Sequence, residues 1–487
     1  MRLFFTLFLL FIFQCAFPHT IYIGNRSGAV MKNDMKDLHP GDTLAIRSGK
    51  YEKGGSFSNL NHITIINYGG ILEFGQSVSL GKLSQVSISG AGSKGLKYGI
   101  RFQHIQSNAF TLEGSCDGLS ISFCEYINME GTVLDASKFF VVYTGDTSTL
   151  ALYKTTISNQ KLVHSGALLA GSWASTTSFQ NVVDSIAFLN IIIDSTASDV
   201  NQVLGSSIYR MMASDWRITG PCPNGKHDAG IFQTHGNGTL RNIYRHGGWG
   251  YLWRVWNVGL NGRADSYVYN CIDLSSECYG TLDVRMEAED TTTGNRIPFC
   301  RGASMHVLNN TSGNKRNAIA YVSVLVIAGQ FFSQNGYVLE VRNNLSFNTV
   351  SDNANKIVKQ NTEDALTDTS NNIYVEDPIS SGILIDTVDC RLDPSGAAID
   401  KAITIPFIKT DIDGIKRPVG KAADIGAREF PDAGVIGKRH ASIPKKYAVI
   451  AIGLITVAAL ILSVKKAARK GSGNSTVGFN NQASNKG

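Results

Sequence analysis

The sequence predicts an all-β solenoid, a long coil of short parallel strands, followed by one membrane-spanning α-helix. Three observations carry this. Residues 20–430 hold no long helical period. Short β-branched runs stand between Gly, Asn, Ser and Thr, as at 63–67, 86–90, 119–123, 186–193, 240–244, 267–270, 321–326 and 338–344. Several of them alternate apolar and polar residues at period two, as a half-buried strand does. The runs recur unevenly, roughly every 20 to 35 residues, which suits a repeat architecture with variable loops. Third, residues 447–464 are apolar, uncharged and long enough to cross a bilayer.

The elements follow in chain order. Residues 1–19 read as a secretory signal, because Arg2 precedes an apolar run that ends near Phe13, short of the roughly 20 residues of a bilayer span. The body spans 20–430. At its start, Leu38-His-Pro-Gly-Asp-Thr-Leu-Ala-Ile-Arg-Ser-Gly-Lys-Tyr51 turns at Pro-Gly-Asp, enters a strand at Thr-Leu-Ala-Ile and turns again at Ser-Gly. Further on, many runs end in Asn or Gly: Asn67, Gly90, Asn270, Asn310 and Asn344. Stacked turns need residues that tolerate left-handed backbone, and stacked Asn side chains can hydrogen-bond along the coil. A β-sandwich with the same turn residues is the alternative; a body this long suits it less well.

Both ends of the body resemble a known family. Leu38 to Tyr51 is similar to the opening turn of β-helix polysaccharide lyases. Asp411 to Phe430 reads D-x-D-G-x-x-R-P and then D-I-G-A-x-E, which resembles the closing segment of the pectate-lyase-like superfamily. The resemblance implies a single-stranded right-handed parallel β-helix over 20–430, with function on one outer face. Neither motif contains a catalytic residue.

After the body come a basic linker (431–446), the predicted transmembrane helix (447–464) and a small, polar tail (465–487) expected to be disordered and cytoplasmic. Lys438, Arg439, Lys445 and Lys446 precede the helix, and Lys465, Lys466, Arg469 and Lys470 follow it. Equal flanks give no orientation, so the export signal sets it: body outside the cytoplasm, periplasmic or at the cell surface. The chain carries +6 overall. Nine Lys and Arg against one Asp lie beyond residue 430, and Arg2 adds one more, which leaves residues 17–430 at −3. The basic balance therefore belongs to the tether and does not indicate nucleic acid. A monomer is expected. Of eight cysteines, seven lie beyond Cys15. Cys116 with Cys124, and Cys271 with Cys278, are close enough in sequence to pair, but sequence leaves connectivity open.

Chemistry concentrates in one stretch. Residues 207–263 hold seven Arg and Lys against Asp215 and Asp228, four of the five Trp, and His227, His235 and His246. A basic, aromatic zone on an acidic body suits an acidic sugar chain: guanidinium groups fork onto carboxylate or sulfate, and aromatic faces receive sugar rings. Plain strand alternation puts Arg241, Ile243 and Arg245 on one face, and groups Arg254 with Leu252 and Trp256. An outward ladder of Arg245, Arg254 and Arg285 follows. Proton transfer is expected from His227 or His235, both in the pKa range for it, with Arg245 and Arg254 clamping a uronate carboxylate. Lys226, Arg241, His246, Trp249, Trp253, Trp256 and Arg285 are the expected sugar contacts. Asp283 and Glu287, in an acidic cluster just beyond, are of a kind that holds Ca²⁺.

Two classes of function fit. One is an enzyme on acidic polysaccharide, foremost a lyase, with epimerase or hydrolase chemistry close behind. The other is a tethered, non-catalytic glycan binder or adhesin, since solenoids offer long regular faces.

Overall fold

In the computed structural model, residues 18–430 are described apart from 25–34, 36, 136–151, 167, 171–182, 197–203, 208–209, 221–230, 235–236, 248–250, 257–264, 275–280, 286, 290–295, 299–303, 316–324, 329–337, 350–357 and 361–365. They form a parallel β-helix. One sheet stacks 21 strands and a second stacks 11, and every pairing within them is parallel. The strand pair Glu287–Glu289 and Arg296–Pro298 is antiparallel and stands apart. Among the described residues no helix is long and apolar enough to cross a membrane. The predicted span 447–464 lies outside the described residues.

Each full coil contributes one strand to the smaller sheet and a bent strand to the larger one. The bend has one cause. At the corner itself stands one residue with positive φ: Phe123, Asn159, Asn190, Asp215, Asn242, Asn270, Asn309, Asn343 or Asn371 in successive coils. Asn and Asp enter the left-handed region more readily than other side-chain-bearing residues. Their amides then meet along the coil. Asn242 Nδ2 donates to Asp215 at 3.0 Å, and Asn371 Nδ2 donates to Asn343 at 2.9 Å.

The bend also resets which side chains face inward. Before Asn242, Leu240 is buried and Arg241 faces out; after it, Ile243 and Arg245 are buried. Straight alternation would send Ile243 and Arg245 outward with Arg241, and so the predicted face is wrong beyond the corner. Arg245 is instead inside the coil, 2 % exposed, with Nε 2.8 Å and Nη2 2.9 Å from the Asp273 carboxylate. The two residues are in register on adjacent strands.

The residue just inside the corner forms a second column. In the upper coils it is Asn310, Asn344 and Asn372. Asn344 Oδ1 accepts from the Asn310 backbone N–H at 2.9 Å and from its amide at 3.0 Å, while Asn344 Nδ2 donates to Val307 O and Asn372 Oδ1. Lower down, the same column holds Cys124, Gln160, Ile191, Trp216, Ile243 and Cys271, all buried. Four cysteines, Cys116, Cys124, Cys271 and Cys390, are buried and unbridged, so Cys116 and Cys124 do not pair. Burial pushes the Cys124 and Cys271 thiols up to about 12, which makes them unreactive. Cys278 lies outside the described residues.

Residues 376–430 leave the coil and lie along its corner. Tyr244, Ile272, Leu345 and Phe347 form a core with Ile383, Leu384, Leu392, Ile425 and Ala427 of this segment. The corner amides hold its backbone: Asn270 reaches Thr410 O, Asn343 reaches Ile403 O, and Asn371 reaches Lys401 O. The motif residues fasten the segment to itself. Asp411 caps the backbone N–H groups of Asp413, Ile415 and Glu429, and Arg417 binds Glu429 at 2.6 Å. Burial raises the Glu429 carboxyl to about 7, with the Arg417 charge opposing it.

Two substitutions test this. Asn344→Leu strands the Asn310 backbone N–H and the amides on either side, so the unfolding free energy is expected to fall by about 3 kcal/mol in denaturant titration. Arg245→Ala leaves the buried Asp273 carboxylate without its guanidinium and is expected to cost about 3–5 kcal/mol, whereas the double variant Arg245→Met, Asp273→Leu should unfold close to the wild type. Equal losses for both would mean that the pair contributes more than removal of an isolated charge.

Candidate functional site

The predicted site residues divide among three places. Arg245 is interior, as above. Trp253 is interior too, with no exposed surface, between Ile231 and Leu282 in register. Trp216 joins it in the core, donating from Nε1 to Phe188 O at 2.9 Å. These tryptophans fill the coil, and neither offers a face to a sugar. Trp253 packs inward, and it is Arg254, the next residue on the strand, that looks outward.

Among the described residues, Arg254 is the one predicted catalytic residue on an outer face. It lies on Trp253–Trp256 of the smaller sheet, is partly exposed, and its guanidinium sits 5.1 Å from the centre of the Tyr251 ring. In register it stands between Phe232 and Asp283; two places along, Trp256 stands between Thr234 and Arg285. The next steps of the Arg254 row are Val326 and Lys359. Arg254 and Arg285 are therefore offset by two positions and share no row, and Arg245 belongs to the other sheet. The predicted three-arginine ladder does not form.

Arg241 and His246 are on the larger sheet. Arg241 is partly exposed and donates from Nε to Ser214 Oγ at 2.8 Å; His246 is exposed past the corner. They do not share a face with Arg254. Asp283 and Glu287 fall in separate strands, the latter paired with Pro298. Among the described residues no three His, Cys, Asp or Glu converge as a metal would need; the Asp283 and Glu287 side chains, like those of Trp256 and Arg285, are outside that description. Lys226, His227, His235 and Trp249 lie outside the described residues altogether.

One outward row escaped sequence reasoning. On the larger sheet, three places before the corner Asn, successive coils carry Tyr267, His306, Glu340 and Asp368. Tyr267 stacks on His306 at 4.5 Å and 8°. His306 Nδ1 is 2.5 Å from Glu340, and Arg342 joins Glu340 at 2.9 Å and also binds Asp368, holding that carboxyl down at about 2. The signal was present: counting back three from Asn270, Asn309, Asn343 and Asn371 gives these residues. The side chains of the row engage one another and Arg342, and so it reads as surface packing. Tyr251, beneath Arg254, also went unnoticed, although it lies within the basic window.

No protein-family model and no curated protein sequence matches this chain. Among solved structures it is similar to the pectate lyase Pel9A, with 12 % identity over 84 % of this chain and 97 % of that one, at a TM-score of 0.36. It is also similar to the A-module of the mannuronan C-5 epimerase AlgE4 of Azotobacter vinelandii, with 11 % identity over 69 % of this chain and 91 % of that one, at a TM-score of 0.23. The parallel β-helix itself rests on the stacked registers of the two sheets.

Proposed function

We propose that the protein engages an acidic polysaccharide along the outer face of its smaller sheet and cleaves it by β-elimination. The supporting observation is Arg254: a guanidinium on an outer face, above an aromatic ring, in a row that alternates Phe232, Arg254 and Asp283. A guanidinium there can fork onto a uronate carboxylate. Neutralising that carboxylate acidifies the proton on the adjacent carbon.

A base from among Lys226, His227 and His235 takes that proton. The electron pair left behind forms a carbon–carbon double bond as the bond to the glycosidic oxygen breaks, and the leaving oxygen takes up a proton. The products are a free chain end and an unsaturated uronate. If Ca²⁺ assists, Asp283 and Glu287 are the carboxylates for it, and its chemistry is to neutralise the substrate carboxylate alongside Arg254. The neighbours named above, a pectate lyase and a mannuronan epimerase, agree with a polysaccharide as substrate. In this reading the helix at 447–464 tethers an exported body to the membrane.

The test uses the full-length protein and a panel of uronic-acid polymers, with and without Ca²⁺. Ultraviolet absorbance of the unsaturated product should rise with wild type and Arg241→Ala. It should fall at least about a hundredfold with Arg254→Ala, the scale of losing one charged hydrogen-bonding contact to the transition state. Binding without product in every condition would assign the protein to the non-catalytic binders. Unchanged activity in Arg254→Ala would remove this face as the site.

A further inference from the structure

The first coils carry a second exposed basic and aromatic surface, at the corner of the larger sheet. Tyr22 lies on Thr20–Ile23, Arg47 on Thr43–Tyr51 and Tyr68 on Thr64–Phe74. Arg47 and Tyr68 are in register, and Tyr22 sits one strand earlier, paired with Ala45. Tyr22 is 63 % exposed and Tyr68 45 %, with their rings edge to face at 4.9 Å. Together with Ile23 and Gly24 they line a cleft of about 310 Å³.

The corner is built for this. The ladder is interrupted by a bulge between Arg47 and Gly49, and a bulge re-aims the side chains beside it. Two hydrogen bonds fix it. Ser48 Oγ donates to Gly69 O at 2.9 Å, and the buried Tyr51 hydroxyl donates to Arg47 O at 2.7 Å. Gly24 permits that contact, because a Cβ there would come within 2.2 Å of the Tyr51 hydroxyl. Arg47 itself is exposed and has no carboxylate partner among the described residues. Nearby cations are paired, Lys50 with Glu52 at 2.8 Å and Arg101 with Glu125 at 2.8 Å. The adjoining loop, fixed by Ser93 Oγ accepting from Gly70 N at 3.0 Å, adds exposed Lys94 and Lys97.

We propose that this corner is a second subsite, for one anionic residue of the same polysaccharide. Tyr22 and Tyr68 receive the sugar ring and Arg47 its carboxylate or sulfate. The proposal rests on the polysaccharide reading above. The strand that follows Arg47 in its coil, Gly55–Ser58, is seven parallel steps from Trp253–Trp256. At roughly 4.8 Å per step the two sites are roughly 34 Å apart along the coil. Only a long chain can occupy both, and the second contact is then intramolecular, which raises overall affinity.

The experiment measures binding of the full-length protein to long and trimeric oligomers of galacturonate and of mannuronate, with a neutral glucan beside them. The double variant Arg47→Ala, Tyr68→Ala should bind the long uronate about tenfold more weakly. Its trimer binding at Arg254 and its thermal midpoint should be unchanged. If the double variant binds the long chain as tightly as wild type while Arg254→Ala weakens it, the corner is no subsite and the Arg254 face stands. Equal binding of neutral glucan at the corner would overturn the role of Arg47. Failure of every anionic oligomer to bind wild type would overturn the polysaccharide reading and, with it, this one.

Discussion

From Phe123 to Asn371 every coil turns the same corner, and one residue with left-handed backbone makes the turn. Most side chains resist that conformation; Asn and Asp resist it least. The chain meets the requirement with Asn159, Asn190, Asp215, Asn242, Asn270, Asn309, Asn343 and Asn371. Only Phe123, in this run, does so without an amide or carboxylate. The geometric demand then becomes a source of cohesion, because stacked amides at the corner satisfy one another across coils. In the upper coils the next residue inward repeats the device with Asn310, Asn344 and Asn372. Amides this far inside an all-β core would be costly unpaired; paired in series, they fix the vertical register of coils whose loops vary in length.

The same corner receives the C-terminal segment. Its backbone carbonyls at Ile403, Thr410 and Lys401 accept from the Asn side chains that mark the turn. The segment covers Leu345, Phe347 and Ile272, which stand on the outer face beyond the corner and would otherwise be an apolar patch. Arg417, Glu429, Asp411 and Asp424 spend their charges on holding the segment's own loops. This explains why a motif rich in Asp, Arg and Glu contributes nothing to a site: Asp411, Arg417, Asp424 and Glu429 are buried and bonded within the segment.

The coil was legible because its demands are local. Short alternating runs, Asn and Gly at their ends, and the opening and closing motifs each reflect a backbone requirement, and Asn270, Asn310 and Asn344 all occupy corner columns. Site residues were legible only in part. Arg254 follows the inward Trp253 directly on its strand, and its outward direction follows from that. Arg245 lies three residues beyond Asn242, whose left-handed backbone shifts the phase by one. Nothing in the local pattern of apolar and polar residues announces that shift, and a buried Arg resembles an exposed one until its partner Asp273, a full coil later, is brought alongside.

That distance of one coil is the proper unit for reading charge in such a chain. Residues 207–263 look like a basic patch in sequence, but the coil spreads them around its circumference. Arg245 goes inside, Arg217 and Arg241 to the larger sheet, and Arg254 to the smaller one. The neighbours that matter for each are 25 to 40 residues away: Asp273 for Arg245, Asp283 for Arg254, Glu340 for His306. A cluster along the chain thus has little bearing on the field at any surface point. A surface site must be assembled from equivalent positions in successive coils, and the corner Asn supplies the origin for that count. By this measure the Tyr267–Asp368 row is engaged with itself, while the Arg254 row and the Arg47–Tyr68 corner present guanidinium groups beside aromatic rings, the chemistry that anionic sugars require.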